Sequence, residues 1–110
     1  MIKIRMSRSA TALFRGLLAR AGDKRDRILL MDWKSVDWQS LTFIGERHEI
    51  RLRIRGPNGA DLARRLTGNI ADAEFPVPGQ IVADMLVAGQ PRAEADGSVT
   101  LTLEALTIEE

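Results

Sequence analysis

Between Val36 and Arg55, apolar and polar residues alternate. A stretch of this kind satisfies itself as antiparallel strands with one buried face, because successive side chains point to opposite sides of a sheet. Gly45-Glu46 lies in the middle, with glycine at the first central position of a two-residue turn. A reversal there places Leu41, Phe43, Ile50, Leu52 and Ile54 on one face, with His48 at the turn end. The other face then carries Val36, Trp38, Ser40, Thr42, Glu49, Arg51, Arg53 and Arg55. The same register sets Trp38 opposite Arg53, close enough for a cation–π contact.

Upstream the period changes. Ile2, Ile4 and Met6 alternate with Lys3 and Arg5, which predicts a short half-buried strand. Ala10, Leu13, Phe14, Leu17, Leu18 and Ala21 then form one stripe at helical spacing, with Arg8 and Arg15 on the opposite side. The spacing predicts a helix over 9–21, capped by Ser7 or Ser9 and ended by Gly22. Residues 23–27 form a charged turn, and the continuous apolar run Ile28–Met31 reads as a central strand.

Downstream, Gly56-Pro57-Asn58-Gly59 breaks the alternation. Asn58 is placed to cap a short helix with Leu62, Ala63 and Leu66 inward, closed near Gly68. Residues 69–75 read as an edge strand stopped by Pro76 and Pro78. The last third is a hairpin reversing at Asp96-Gly97, which sets Val87 opposite Leu106 and Met85 opposite Ile108. Val99, Leu101 and Leu103 share one face, Leu106 and Ile108 the other. That change implies a bulge or a strand crossing between two packing environments.

The expectation is a single α+β domain over 1–110, an antiparallel sheet of about five to seven strands with both helices on one face. A half-open β-barrel with helices is the alternative. The 110 residues are 45% hydrophobic and contain no Cys, which fits a chain with its own core and removes disulfides, thiol catalysis and Cys-based zinc sites. One His excludes a multi-histidine metal site within one chain. No cofactor is expected. No apolar run is long enough to span a bilayer, and Arg15 and Arg20 interrupt any secretory leader, so no membrane role and a cytoplasmic location are expected. The acid-free first 22 residues resemble a mitochondrial presequence in composition, but an ordinary basic amphipathic helix of a bacterial protein is the preferred reading.

Charge is unevenly placed behind a net +1: residues 1–27 carry +6, residues 28–65 +2 and residues 66–110 −7. Acidic and basic ends that complement one another, within a chain or between copies, are preferred over contact with a polyanion. The glycines form no phosphate loop, and Asp32/Asp37 and Asp72/Glu74 form no metal-ligand pattern. His48 would serve as a general base oriented by Glu46, but the sequence signals neither a pocket nor a nucleophile. No catalytic residues are assigned and no enzyme is expected. The expected function is an interaction module that associates as a homodimer or other homo-oligomer. The alternative is a nucleic-acid or anionic-ligand surface made of Trp38, Arg51, Arg53 and Arg55, where guanidinium forks take phosphates and the indole stacks a base.

Overall fold

The computed structural model describes residues 4–110. In chain order it runs α1 (Arg8–Ala21), β1 (Ile28–Gln39), β2 (Ile44–Ile54), α2 (Gly59–Thr67), β3 (Gln80–Ala93) and β4 (Val99–Glu109), with short 3-10 turns at Gly22–Arg27 and Ile70–Asp72. The four strands form one antiparallel sheet in the order β1-β2-β4-β3. Both helices lie on the face that carries Ile50, Leu52, Leu101 and Leu103, and these join Leu13, Leu17, Leu62 and Leu66 in one core. The class is α+β, as the periodicities indicate.

Helix α1 buries Ala10, Leu13, Leu17 and Ala21. Its start is fixed by Ser7, whose hydroxyl accepts the Ala10 amide, and its end by Gly22 at φ 62°. Replacing Ser7 by Ala removes that cap, and the expected loss is about 1 kcal/mol of stability, read from urea unfolding; an unchanged midpoint would show the cap to be idle. Helix α2 buries Leu62, Ala63 and Leu66 as expected. Asn58 precedes it at φ 62° and makes no side-chain cap, so the expected capping role is not found.

The sheet has four strands rather than five to seven, for three reasons. Residues 4–6 form no strand, although Ile4 and Met6 do pack on the core; Met1–Lys3 lie outside the described residues. Residues 69–75 contain the 3-10 turn at Ile70–Asp72 instead of an edge strand. The run Ile28–Met31 is the start of one long strand, and β1 is an edge, not a centre.

Both hairpins reverse differently from expectation. The first turns at residues 40–43, where the Ser40 amide donates to the Phe43 carbonyl at 2.9 Å and the Phe43 amide donates to Ser40 Oγ at 3.1 Å. Trp38 therefore pairs with Gly45, and Leu29 takes the place opposite Arg53. Leu41 and Phe43 are not in the core but at the exposed tip. The second hairpin does turn at Asp96-Gly97, with Gly97 at φ 87° donating to the Glu94 carbonyl and the Glu94 amide donating to Ser98. This is a three-residue loop with a bulged glycine. Two further irregularities in β3, between Val82 and Asp84 and between Ala88 and Arg92, move the pairing so that Val87 meets Leu103 and Met85 meets Ala105. Strand β4 itself is unbroken. Its apolar residues change face because the outer side of the sheet becomes apolar at that end.

Candidate functional site

The register defines what the outer face, opposite the helices, presents. Reading across β1-β2-β4-β3, one end carries Trp38, Gly45, Ile108 and Ile81 in a row, with Val36, Arg47, Leu106 and Asp84 in the next. Towards the other end the rows become polar: Lys34, Glu49, Glu104 and Leu86, then Asp32, Arg51, Thr102 and Ala88, then Leu29, Arg53, Thr100 and Arg92. Among the described residues no helix covers this face. Val36, Ile81 and Leu86 are exposed on it, while Trp38 and Leu106 are half-buried.

Trp38, Arg51 and Arg53 thus share the outer face, but they do not form one cluster. Trp38 sits opposite Gly45, eight residues along β2 from Arg53, roughly 25 Å at ~3.3 Å per strand residue. Arg55 lies just beyond β2 and is exposed. Arg53 is tied to the β3–β4 turn, its Nη2 donating to Asp96 Oδ2 at 3.3 Å and Ser98 Oγ at 3.2 Å. The Ser98 hydroxyl and amide both donate to Asp96 and, with a smaller contribution from Arg53, hold its carboxyl below the usual carboxylate value. Arg47 and Arg51 make no ion pair among the described residues.

His48 is on the helix side, fully buried rather than at a sheet edge. Its Nδ1 is approached by Trp33 Nε1 at 3.2 Å and by Ser35 Oγ at 2.8 Å, and its Nε2 lies 3.0 Å from Thr107 Oγ1. An indole N–H can only donate, so Nδ1 is the acceptor and Nε2 carries the proton. The Nε2–H donates to Thr107, whose hydroxyl is 3.5 Å from the Glu46 carbonyl. Burial pushes the His48 pKa down, and the negative charge of Glu46 opposes this. The Glu46 carboxylate does not orient the imidazole. It accepts instead from the hydroxyls of Ser7, at 2.9 Å, and Ser9, pinning the start of α1 to β2. The ring of Trp33 stands edge-on to both Phe14 and His48, at 6.1 Å and 5.9 Å between centroids.

This polar chain was hidden by one irregularity. Strand β1 shifts register between Leu30 and Asp32, so Ile28 and Leu30 face the core and then Trp33 and Ser35 do. Straight alternation from Ile28 would send Trp33 outward.

A groove of about 940 Å³ runs between α1 and residues 74–80. Ala12 and Gly16 of the helix face Phe75, Pro76 and Pro78 across it, with Arg8 and Arg15 on its rim. Gly16 is required there, because a Cβ would lie 2.5 Å from Phe75 Cδ1. A shallower concavity of about 480 Å³ shares Phe75, Pro76 and Gln80 and continues to Ile81 and Val82 at the start of β3. Among the described residues no group of three or more His, Cys, Asp or Glu could hold a metal ion, and no helix is long and apolar enough to cross a membrane.

No protein-family model matches the sequence, and no curated protein matches it. Among solved structures, a chain from the virion of a native gene transfer agent particle is similar in fold, with a TM-score of 0.58 and 11% sequence identity. The alignment covers 91% of this chain and 97% of that one. At that identity the likeness concerns the fold alone.

Proposed function

We propose that this chain is a non-catalytic module that self-associates, as a subunit of a multi-subunit particle. The observation that carries the reading is the outer face, which no helix covers among the described residues and which exposes Val36, Ile81 and Leu86 beside the half-buried Trp38 and Leu106. Exposed apolar surface of this kind, bounded by unpaired strand edges, is costly in a lone monomer and is relieved by a partner. The edges differ in how open they are. The far half of β3 is blunted by its irregular stretch between Ala88 and Arg92, which includes Pro91, whereas Asp32–Gln39 of β1 pairs without interruption. The opposed charges of the two ends of the chain favour unlike surfaces meeting, which is the head-to-tail kind of contact. The similar fold of a virion component is consistent with such a role. Light scattering on a size-exclusion column, across concentration and at low and high salt, should find an assembly; a monomer throughout removes the proposal.

A second reading keeps the outer face as an anion or nucleic-acid surface. Arg47 and Arg51, free of ion pairs among the described residues, favour it. It requires binding of single-stranded DNA or RNA that weakens steeply with salt and is lost in an R47A/R51A variant; salt-insensitive or absent binding excludes it.

A further inference from the structure

We propose that the tip of the β1–β2 hairpin of one copy seats in the groove between α1 and residues 74–80 of a second copy. The proposal rests on the self-association reading and supplies its contact. The tip is an apolar projection with no charged residue from Gln39 to Gly45. Leu41 is 105% exposed, Phe43 51% and Ile44 56%. It is held in shape by the two Ser40–Phe43 hydrogen bonds, so little chain entropy remains to be lost on docking. The groove is its complement: an apolar floor of Ala12, Phe75, Pro76 and Pro78, open to solvent and continuous with the start of β3.

Polar features agree. The backbone amides of Leu41 and Thr42, in exposed residues at the tip, make no hydrogen bond within the described chain and are free to donate to a partner. Asp37, an exposed carboxylate on the helix side of β1, and Arg8 and Arg15, exposed on α1, are likewise without ion pairs among the described residues. Opposite charges so placed steer one surface to the other, against the opposing charge of Glu74, an exposed carboxylate that also lines the groove.

Topology makes the contact reachable. Gln39, Ile44, Glu109 and Gln80 all lie at the same end of the sheet, because Gln39 pairs with Ile44, Gly45 with Ile108 and Gln80 with Glu109. The tip is at one lateral edge and the groove at the other. Two copies set side by side with β1 of one against β3 of the next therefore bring tip and groove together without inverting either copy. The same placement sets Trp38 of one copy beside Ile81 of the next and continues the apolar row across the boundary.

The chain has no cysteine, so paired cysteines report the contact cleanly. Full-length Phe43→Cys and Pro76→Cys chains, both substituted at exposed positions, are mixed under mild oxidation at a concentration where the wild type is assembled. A mixed disulfide that neither variant forms alone is expected. Leu41→Asp, at a fully exposed site that leaves folding intact, should raise the concentration needed for assembly at least tenfold. If the wild type assembles but the mixed disulfide is absent, or a disulfide forms between two Phe43→Cys chains instead, or Leu41→Asp assembles normally, the tip–groove contact is wrong and self-association stands. If the wild type is monomeric at every concentration, both fall.

Discussion

Replacing Gly45 by Val should lower the melting temperature by roughly 12–24 °C and loosen the end of the sheet where β2 meets β4. A Cβ at this position would lie 1.9 Å from the Thr107 carbonyl oxygen, 2.9 Å from its carbon and 3.1 Å from Ile108 Cα. All three are backbone atoms of the neighbouring strand, so no rotamer change relieves the clash. The two strands must separate locally, which breaks the Gly45–Ile108 and Glu46–Thr107 pairings. The cost is expected at about 3 kcal/mol or more, the upper end for overpacking. For a domain of this size 1 kcal/mol moves the midpoint by roughly 4–8 °C. Gly79→Ala is the matched control: its φ of +75° costs backbone strain, but nothing lies within 4 Å of the added carbon. That variant should lose about 1 kcal/mol. Thermal unfolding of both, followed by circular dichroism, decides the matter; equal midpoints would mean that β2 and β4 are not pressed together at Gly45.

The same glycine explains what was readable in the sequence. Gly45-Glu46 has the chemistry of a hairpin turn, yet Gly45 is used for close approach inside a strand, and Ser40 supplies the turn by accepting the Phe43 amide. Moving the reversal from residues 45–46 to residues 40–43 shifts the pairing by an even number of positions. Side chains therefore keep their faces: Ile50, Leu52 and Ile54 inward, Trp38, Arg51 and Arg53 outward. Alternation reports the face and says nothing of position along the strand. Hence the shared side of Trp38 and the arginines was legible, but not the distance between them. The helices were legible for a related reason, since a stripe such as Leu13, Leu17 and Ala21 is local. The groove was not. It depends on Phe75 lying against Gly16, a contact between segments far apart in sequence that no periodicity encodes. The strand count suffered where residues pack without pairing, as Ile4 and Met6 do on the core.

His48→Leu should cost about 2–4 kcal/mol at pH 8, because it removes the imidazole that accepts from Trp33 and Ser35 and donates to Thr107, rather than merely trimming the core. Trp33 Nε1–H retains only Ser35, the Ser35 hydroxyl loses its 2.8 Å acceptor and Thr107 loses the Nε2–H. The comparison with acid is the sharper test. His48 is the chain's one histidine, its ordinary pKa is 6.5, and burial depresses it in the fold. As pH falls below 6.5 the unfolded chain takes up a proton before the native state does. The stability due to neutral His48 is therefore complete above about pH 6.5 and is lost progressively as pH falls towards and through the lower folded value. Protonation would also set an Nδ1–H against the Trp33 indole N–H, which has no acceptor capacity to offer in return. Glu46 offsets part of this by its charge. The wild type should therefore lose stability to urea between pH 7 and pH 5. His48→Gln, which keeps an amide in place of the ring and cannot titrate there, should give a flatter curve over the same interval. Parallel curves for the two proteins would mean that His48 does not change its charge on unfolding and that burial does not hold it neutral in the fold.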